Sequence, residues 1–223
     1  MTAGGAQERA RRAAARQRAA RRRAKARRES SRRMLRRGAI VAAISVSAVA
    51  GVWLLSLAAL QRDQSYCAAQ PASFPAAGIS GWSGEQLENA ATIMLTARRL
   101  GFDRDGQVLG VMTAMGESSL RNIGHGDWET SGVTNPDGSR TSSIGLFQQQ
   151  KWWGSVAERM DPATAATLFY ARLGKLKGWR DMEPSHAINL VQVNADKEHY
   201  ARFHHEAAEV VDALSGPCPA VTP

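Results

Sequence analysis

Cysteine is scarce in this chain, and what there is carries no metal-binding spacing. Two cysteines and five histidines in 223 residues, with no Cys/His cluster among them, exclude a structural zinc site. Convincing alternation of apolar and polar residues is also missing, so a half-buried sheet is not the organising element and helices are what remain. Acids are nearly absent at the start. Residues 1–37 hold 15 of the 29 lysines and arginines but only Glu8 and Glu29 of the 20 acids, a net of +13 that leaves −4 for residues 38–223. The basic character of the chain therefore belongs to a tail. That tail has no aromatic residue on which bases would stack, so its alanine-interleaved arginines point to anionic inner-leaflet lipid, with a nucleic-acid-binding helix as the rival.

Charge is what residues 38–60 lack, with none in 23 positions. At 1.5 Å per residue such a helix covers roughly 30 Å or slightly more, the hydrocarbon thickness of a bilayer. The run is too long for a signal peptide's apolar region, which points to one uncleaved transmembrane helix. The "SLAAL" at its end keeps a cleaved signal as the alternative. Positive charge stays on the cytoplasmic side, which puts the tail inside and everything after Gln61 outside. Cys67 and Cys218 bracket that exterior part. In an oxidising compartment they read as one disulfide closing its ends, the alternative being two free thiols.

The exterior part divides into an Ala/Pro/Ser-rich linker at 61–80, a helical domain at 81–215 and a short C-terminal tail at 216–223. Ser83 and Gln86 have capping-box spacing ahead of a helix with apolar positions at Leu87, Ala90, Ala91, Met94 and Leu95. A second helix is expected from Asp105 or Gly106 to Ser118. Asp161 followed by Pro162 marks the start of a third, "EPSHAINLVQVNA" reads as a fourth, and "DKEHYARFHHEAAEVVDALSG" as a fifth ended by Gly216. The fold class is mainly α.

On the second helix Val108, Val111, Met112 and Met115 form the core stripe, so Glu117 is expected to point away from it. Gly110, Thr113 and Ala114 beside it are all small and would leave a shallow trough. A carboxyl at a helix C-terminus feels the negative end of the macrodipole, which helps keep it protonated as a general acid requires. The competing reading is a solvated helix-end glutamate.

"MGESSLRN", then "SSIGLFQQQ", "DPATAATLFYARL" and "AINLVQVNADKEHYARF" in this order resemble the lysozyme-like transglycosylase domains of actinobacterial cell-wall, phage and conjugation proteins. These belong to the soluble lytic transglycosylase superfamily. The resemblance implies a lysozyme-like helical fold with Glu117 as catalytic acid/base and Ser118 beside it. It implies a sugar groove lined by Gly145, Leu146, Phe147 and Gln148, with Gln149 adjacent. Where many relatives carry an Ala-Tyr-Asn triad this chain has "LVQVNA", which makes Gln192 and Tyr200 the substrate contacts on that side. It calls for no cofactor and no metal. Trp128, Trp152, Trp153 and Trp179 would stack on sugars or pack in the core, and His125 would orient substrate or serve only the loop. His204 and His205 read as solvent-facing. Asp127, Glu129 and Asp137 are the candidates for a second catalytic carboxylate, set against ordinary turn duty.

The resulting expectation is a single-pass membrane protein that cleaves the β-1,4 bond between N-acetylmuramic acid and N-acetylglucosamine in peptidoglycan. Its partner is the glycan strand, within or beside an envelope-spanning secretion or conjugation complex. A non-catalytic glycan-binding scaffold is the first rival reading, and a membrane-tethered nucleic-acid binder the second.

Overall fold

The computed structural model describes residues 65–194 and 196–218. The basic tail at 1–37, the apolar run at 38–60 and the first residues of the 61–80 stretch lie outside the described residues, as do 219–223. Among the described residues no helix is long and apolar enough to cross a membrane.

The described residues are mainly α. The helices are α1 (Glu85–Arg99), α2 (Arg104–Ser118), α3 (Asp127–Ser131), α4 (Val156–Met160), α5 (Pro162–Leu173), α6 (Pro184–Gln192) and α7 (His204–Ala213), joined by turns and short 3-10 segments. The only β pairing among them is four isolated bridges.

Helix α2 is the centre. Asp103 caps it, its side chain accepting from the Gly106 amide, so the helix opens at Arg104, one or two residues before the expected start. The four stripe residues are buried, and so is every other residue from Gly106 to Met115. The trough expected at Gly110, Thr113 and Ala114 is therefore not there. A Cβ on Gly110 would sit 2.0 Å from the Tyr170 hydroxyl oxygen and 2.8 Å from Ile93. Thr113 turns its hydroxyl to the Leu109 carbonyl at 2.7 Å. A helix enclosed on all sides needs small residues where its neighbours come closest, and those residues serve packing inside the domain. Ile93 and Met94 of α1, Phe169 and Tyr170 of α5 and Val210 and Val211 of α7 complete the core. Cutting a buried Leu or Ile here to Ala would cost about 2–5 kcal/mol.

Side-chain caps explain three of the seven helix starts, at Asp103, Ser155 and Asp161. Asp161 accepts the Thr164 amide at 2.8 Å with Pro162 at the first helical position. The Ser83 box is only half made: Gln86 Oε1 accepts from the Ser83 amide at 3.4 Å, but Gly84 is the N-cap. The long fifth helix breaks up. Asn194 and Asp196 accept the amides two residues on, at 3.0 and 2.9 Å, which offers the backbone turns in place of helix. Only His204–Ala213 is α-helical there.

The stretch at 65–80 is not a free linker. Cys67 and Ala68 are buried, the Tyr66 and Ala68 amides donate to the Ala213 and Leu214 carbonyls, and the Gly216 amide donates back to Tyr66. Cys67 and Cys218, 151 positions apart, are joined in a disulfide with Cα atoms 4.9 Å apart. In the chain-entropy model a loop of that size stabilises the fold by about 5 kcal/mol.

Candidate active site

The last turn of α2 ends abruptly. Ser119 and Leu120 both take left-handed backbone, φ 53° and 56°, and the Leu120 amide donates to the Ala114 carbonyl in a Schellman-type closure. Two side chains of α1 hold this corner: Gln86 Nε2 donates to the Ser119 carbonyl and Asn89 Nδ2 to the Leu120 carbonyl, both at 2.9 Å. Left-handed non-glycine residues cost energy and persist where the surroundings force them. Of the five in the described residues, Ser119, Leu120, Gln148 and Val193 stand beside Glu117, in the 144–149 turn or next to Gln192. The strain is concentrated at one place.

Glu117 is the penultimate residue of α2 and only partly buried as a whole, yet its carboxyl group is out of water. That desolvation lifts its pKa from 4.5 to about 7, against a lowering hydrogen bond from Tyr200 and with a further push from the charge of Asp127. Tyr200 Oη donates to Glu117 Oε1. The tyrosine is fully buried and lies on Gly116, where a Cβ would come within 2.7 Å of its ring. Its own ionisation is pushed far up, first by burial and then by the glutamate's charge, so it remains a donor at any working pH. With Oε1 taken by Tyr200, the proton Glu117 carries or releases belongs on Oε2. Tyr200 thus touches the Glu117 carboxylate itself.

The remaining residues named from sequence come together around the same corner, mostly as its scaffold. Ser118 Oγ donates to the Leu146 carbonyl at 2.7 Å and Gln192 Nε2 to the Phe147 carbonyl at 2.9 Å. The 144–149 turn is therefore strapped to the ends of both α2 and α6. Leu146 and Phe147 are wholly buried, so their side chains line the core and not a groove. Gly145 has φ 79°, and a Cβ there would meet the Arg159 carbonyl at 2.0 Å, which explains the glycine by close approach. Gln149 is buried with its amide on the Ala165 carbonyl at 3.0 Å. Gln148 is partly exposed and donates to the carbonyls of His125 and Gly145.

Several contributors carry no motif. Arg159 is buried without a carboxylate, its guanidinium on the carbonyls of Ser142, Gln149, Gly154 and Ser155 at 2.8–3.3 Å. It braces both shoulders of the turn. Ser185 Oγ accepts the Tyr200 amide and donates to Lys197, fixing the segment that delivers the tyrosine. His199 stands edge-on to the Tyr200 ring, 4.8 Å between centroids. Nothing in the sequence around Ser185 and Arg159 signals these roles, since Arg159 follows Glu158 and Ser185 precedes His186.

Trp153 and Trp179 are buried, under the guanidinium of Arg172 and beside Phe102 respectively. Trp128 is stacked by Arg140, and Trp152 is 57% exposed. His125, His204 and His205 are exposed. Among the described residues no group of three or more His, Cys, Asp or Glu side chains is placed to hold a metal ion. Compared with known proteins, the chain matches no family model and no curated protein.

Proposed function

We propose that the protein is a membrane-anchored peptidoglycan lytic transglycosylase whose lysozyme-like domain lies outside the cell membrane, with residues 38–60 as its span and the basic tail inside. The observation that carries this reading is Glu117: a desolvated carboxyl raised to about 7, held by a permanent donor at one oxygen at a strained corner of the fold. A pKa near the working pH suits a group that must both give and take a proton.

The reaction runs in two moves on one oxygen. Glu117 Oε2 gives its proton to the bridging oxygen as the bond from C1 of N-acetylmuramic acid breaks, and N-acetylglucosamine leaves with a free 4-hydroxyl. The muramic C6 hydroxyl then bonds to C1 and returns its proton to Glu117, leaving a 1,6-anhydro end. Intramolecular attack needs no positioned water, and proximity lowers its barrier by several kcal/mol. The glycan strand is the partner, and an envelope-spanning secretion or conjugation machine is the setting in which a tethered enzyme would open the wall.

The test is digestion of purified glycan strands with the detergent-solubilised chain, followed by mass analysis of the muropeptides. Ends lighter by one water support the proposal. Mainly reducing ends make it a hydrolase, and intact strands that nevertheless bind make it a scaffold.

A further inference from the structure

Two of the loop carboxylates that could have partnered Glu117 are occupied elsewhere. Glu129 accepts the Gly126 amide at 3.0 Å, and Asp137 accepts the amide and hydroxyl of Ser139 at 2.9 and 2.7 Å. The side chain that does meet Glu117, Tyr200, is delivered by turns between α6 and α7. A phenol carried on turns must be fixed at more than one point if its hydroxyl is to stay on one oxygen. Ser185 fixes the main chain, at the Tyr200 amide. A second point is on α2 itself.

The end of α2 explains why a donor is wanted there. An unbroken helix would give the Leu120 amide to the Gly116 carbonyl, but the Schellman-type closure sends that amide to Ala114. His199 Nε2 stands 3.4 Å from the Gly116 carbonyl oxygen, where the negative end of the helix dipole favours an N–H donor. The imidazole donates there as its Nε2–H tautomer and as imidazolium alike. Gly116 is also the residue on which the Tyr200 ring lies, since a Cβ there would come within 2.7 Å of it. The His199 and Tyr200 rings meet edge to face, with centroids 4.8 Å apart and planes at 86°. One glycine thus seats two consecutive side chains, and the second of them donates to Glu117 Oε1.

We propose that His199 is a positioning residue: by donating to the Gly116 carbonyl it pins residues 199–200 to the end of α2, so that the Tyr200 hydroxyl stays on Glu117 Oε1 and Oε2 is left for proton transfer. The catalytic part rests on the cleavage reading above. His199 itself gives and takes no proton in the reaction and acts only through Tyr200.

The full-length protein is compared with His199→Ala, with His199→Gln, which keeps an N–H donor of similar reach, and with His199→Phe, which keeps the ring edge without the donor. In protein carrying 13C-labelled glutamate, the Glu117 carboxyl titrates near pH 7 in the parent. Its signal is assigned by its loss in Glu117→Gln. The midpoint rises in the Ala and Phe variants, towards that of Tyr200→Phe, and stays near the parent value in the Gln variant. In a Tyr200→Phe background His199→Ala moves it no further. An unmoved midpoint in the Ala variant overturns the proposal, as does recovery by Phe and not by Gln, or an additive shift in the double variant. On purified glycan strands, kcat of the Ala variant falls by about tenfold with KM little changed, and the Gln variant recovers most of the rate. A raised KM with unchanged kcat also overturns the proposal, because it would make His199 a substrate contact. A parent protein that leaves glycan intact removes the cleavage reading and the catalytic half of this proposal, while the titration still decides whether His199 holds Tyr200 on Glu117.

Discussion

Helix α2 carries a functional-looking acid at each end, and the two are treated in opposite ways. At the start, burial works against Asp103, but the Gly106 amide and the Arg180 guanidinium hold its carboxyl below the ordinary value; both partners are at the surface and the ion pair is half exposed. At the finish, Glu117 loses water and receives a neutral phenol in place of a cation, and its carboxyl rises to about 7. The acid at the start is given a charge to lean on, and the acid at the finish is denied one.

The signs follow. Asp103, with a lowered folded pKa, contributes stability that is present above its unfolded value and lost as pH falls through the folded one. Glu117, with a raised pKa, does the reverse: the folded state is favoured below about 4.5 and pays progressively up to about 7, to a total of about 3 kcal/mol.

The largest break in the comparison is Glu117→Gln. Wall-cutting activity falls at least about a hundredfold, and because the amide cannot ionise, the protein is more stable than the parent at pH 8 by up to about 3 kcal/mol, with no gain at pH 4. Melting curves at the two pH values check this, and equal shifts at both would refute the desolvated carboxylate. Next comes Tyr200→Phe, which removes the one donor that lowers the Glu117 carboxyl. The acid limb moves to higher pH, and the ionised form loses about 1.5–3 kcal/mol, the worth of a hydrogen bond to a charged group; a pH–rate profile at constant ionic strength reads it. At the other end Asp103→Ala costs about 1 kcal/mol of stability through the lost cap and leaves the pH–rate profile where it was. Arg104→Ala, which removes a bidentate but exposed pair with Asp212, costs less than about 1 kcal/mol, shrinking further in high salt.

What could be read in advance divides along the same line. Capping at Asp161, the periodicity of α1 and the burial of Val108, Val111, Met112 and Met115 are local matters, set by residues three or four apart, and sequence spacing reports them. The fold of 65–80 depends on partners near 213–216, and no local composition announces a pairing at that distance. Gly110 looked like room for a ligand because the sequence does not say that Tyr170 fills it. At the site, Glu117 was found by motif and helix position, but the raised carboxyl comes from burial and from Tyr200, 83 residues away. Gln149, Gln192 and Ser118 bear polar groups that a motif assigns to sugar; here they hold backbone carbonyls, a use invisible until the chain is folded.

The closure at Cys67 and Cys218 has a mechanical meaning. Whatever pulls on the chain ahead of residue 65 delivers its force at Tyr66–Ala68, where the paired amides are sheared against residues 213–216 and a covalent link stands behind them. Load entering there meets the end of α7 directly, before it reaches the corner that holds Glu117.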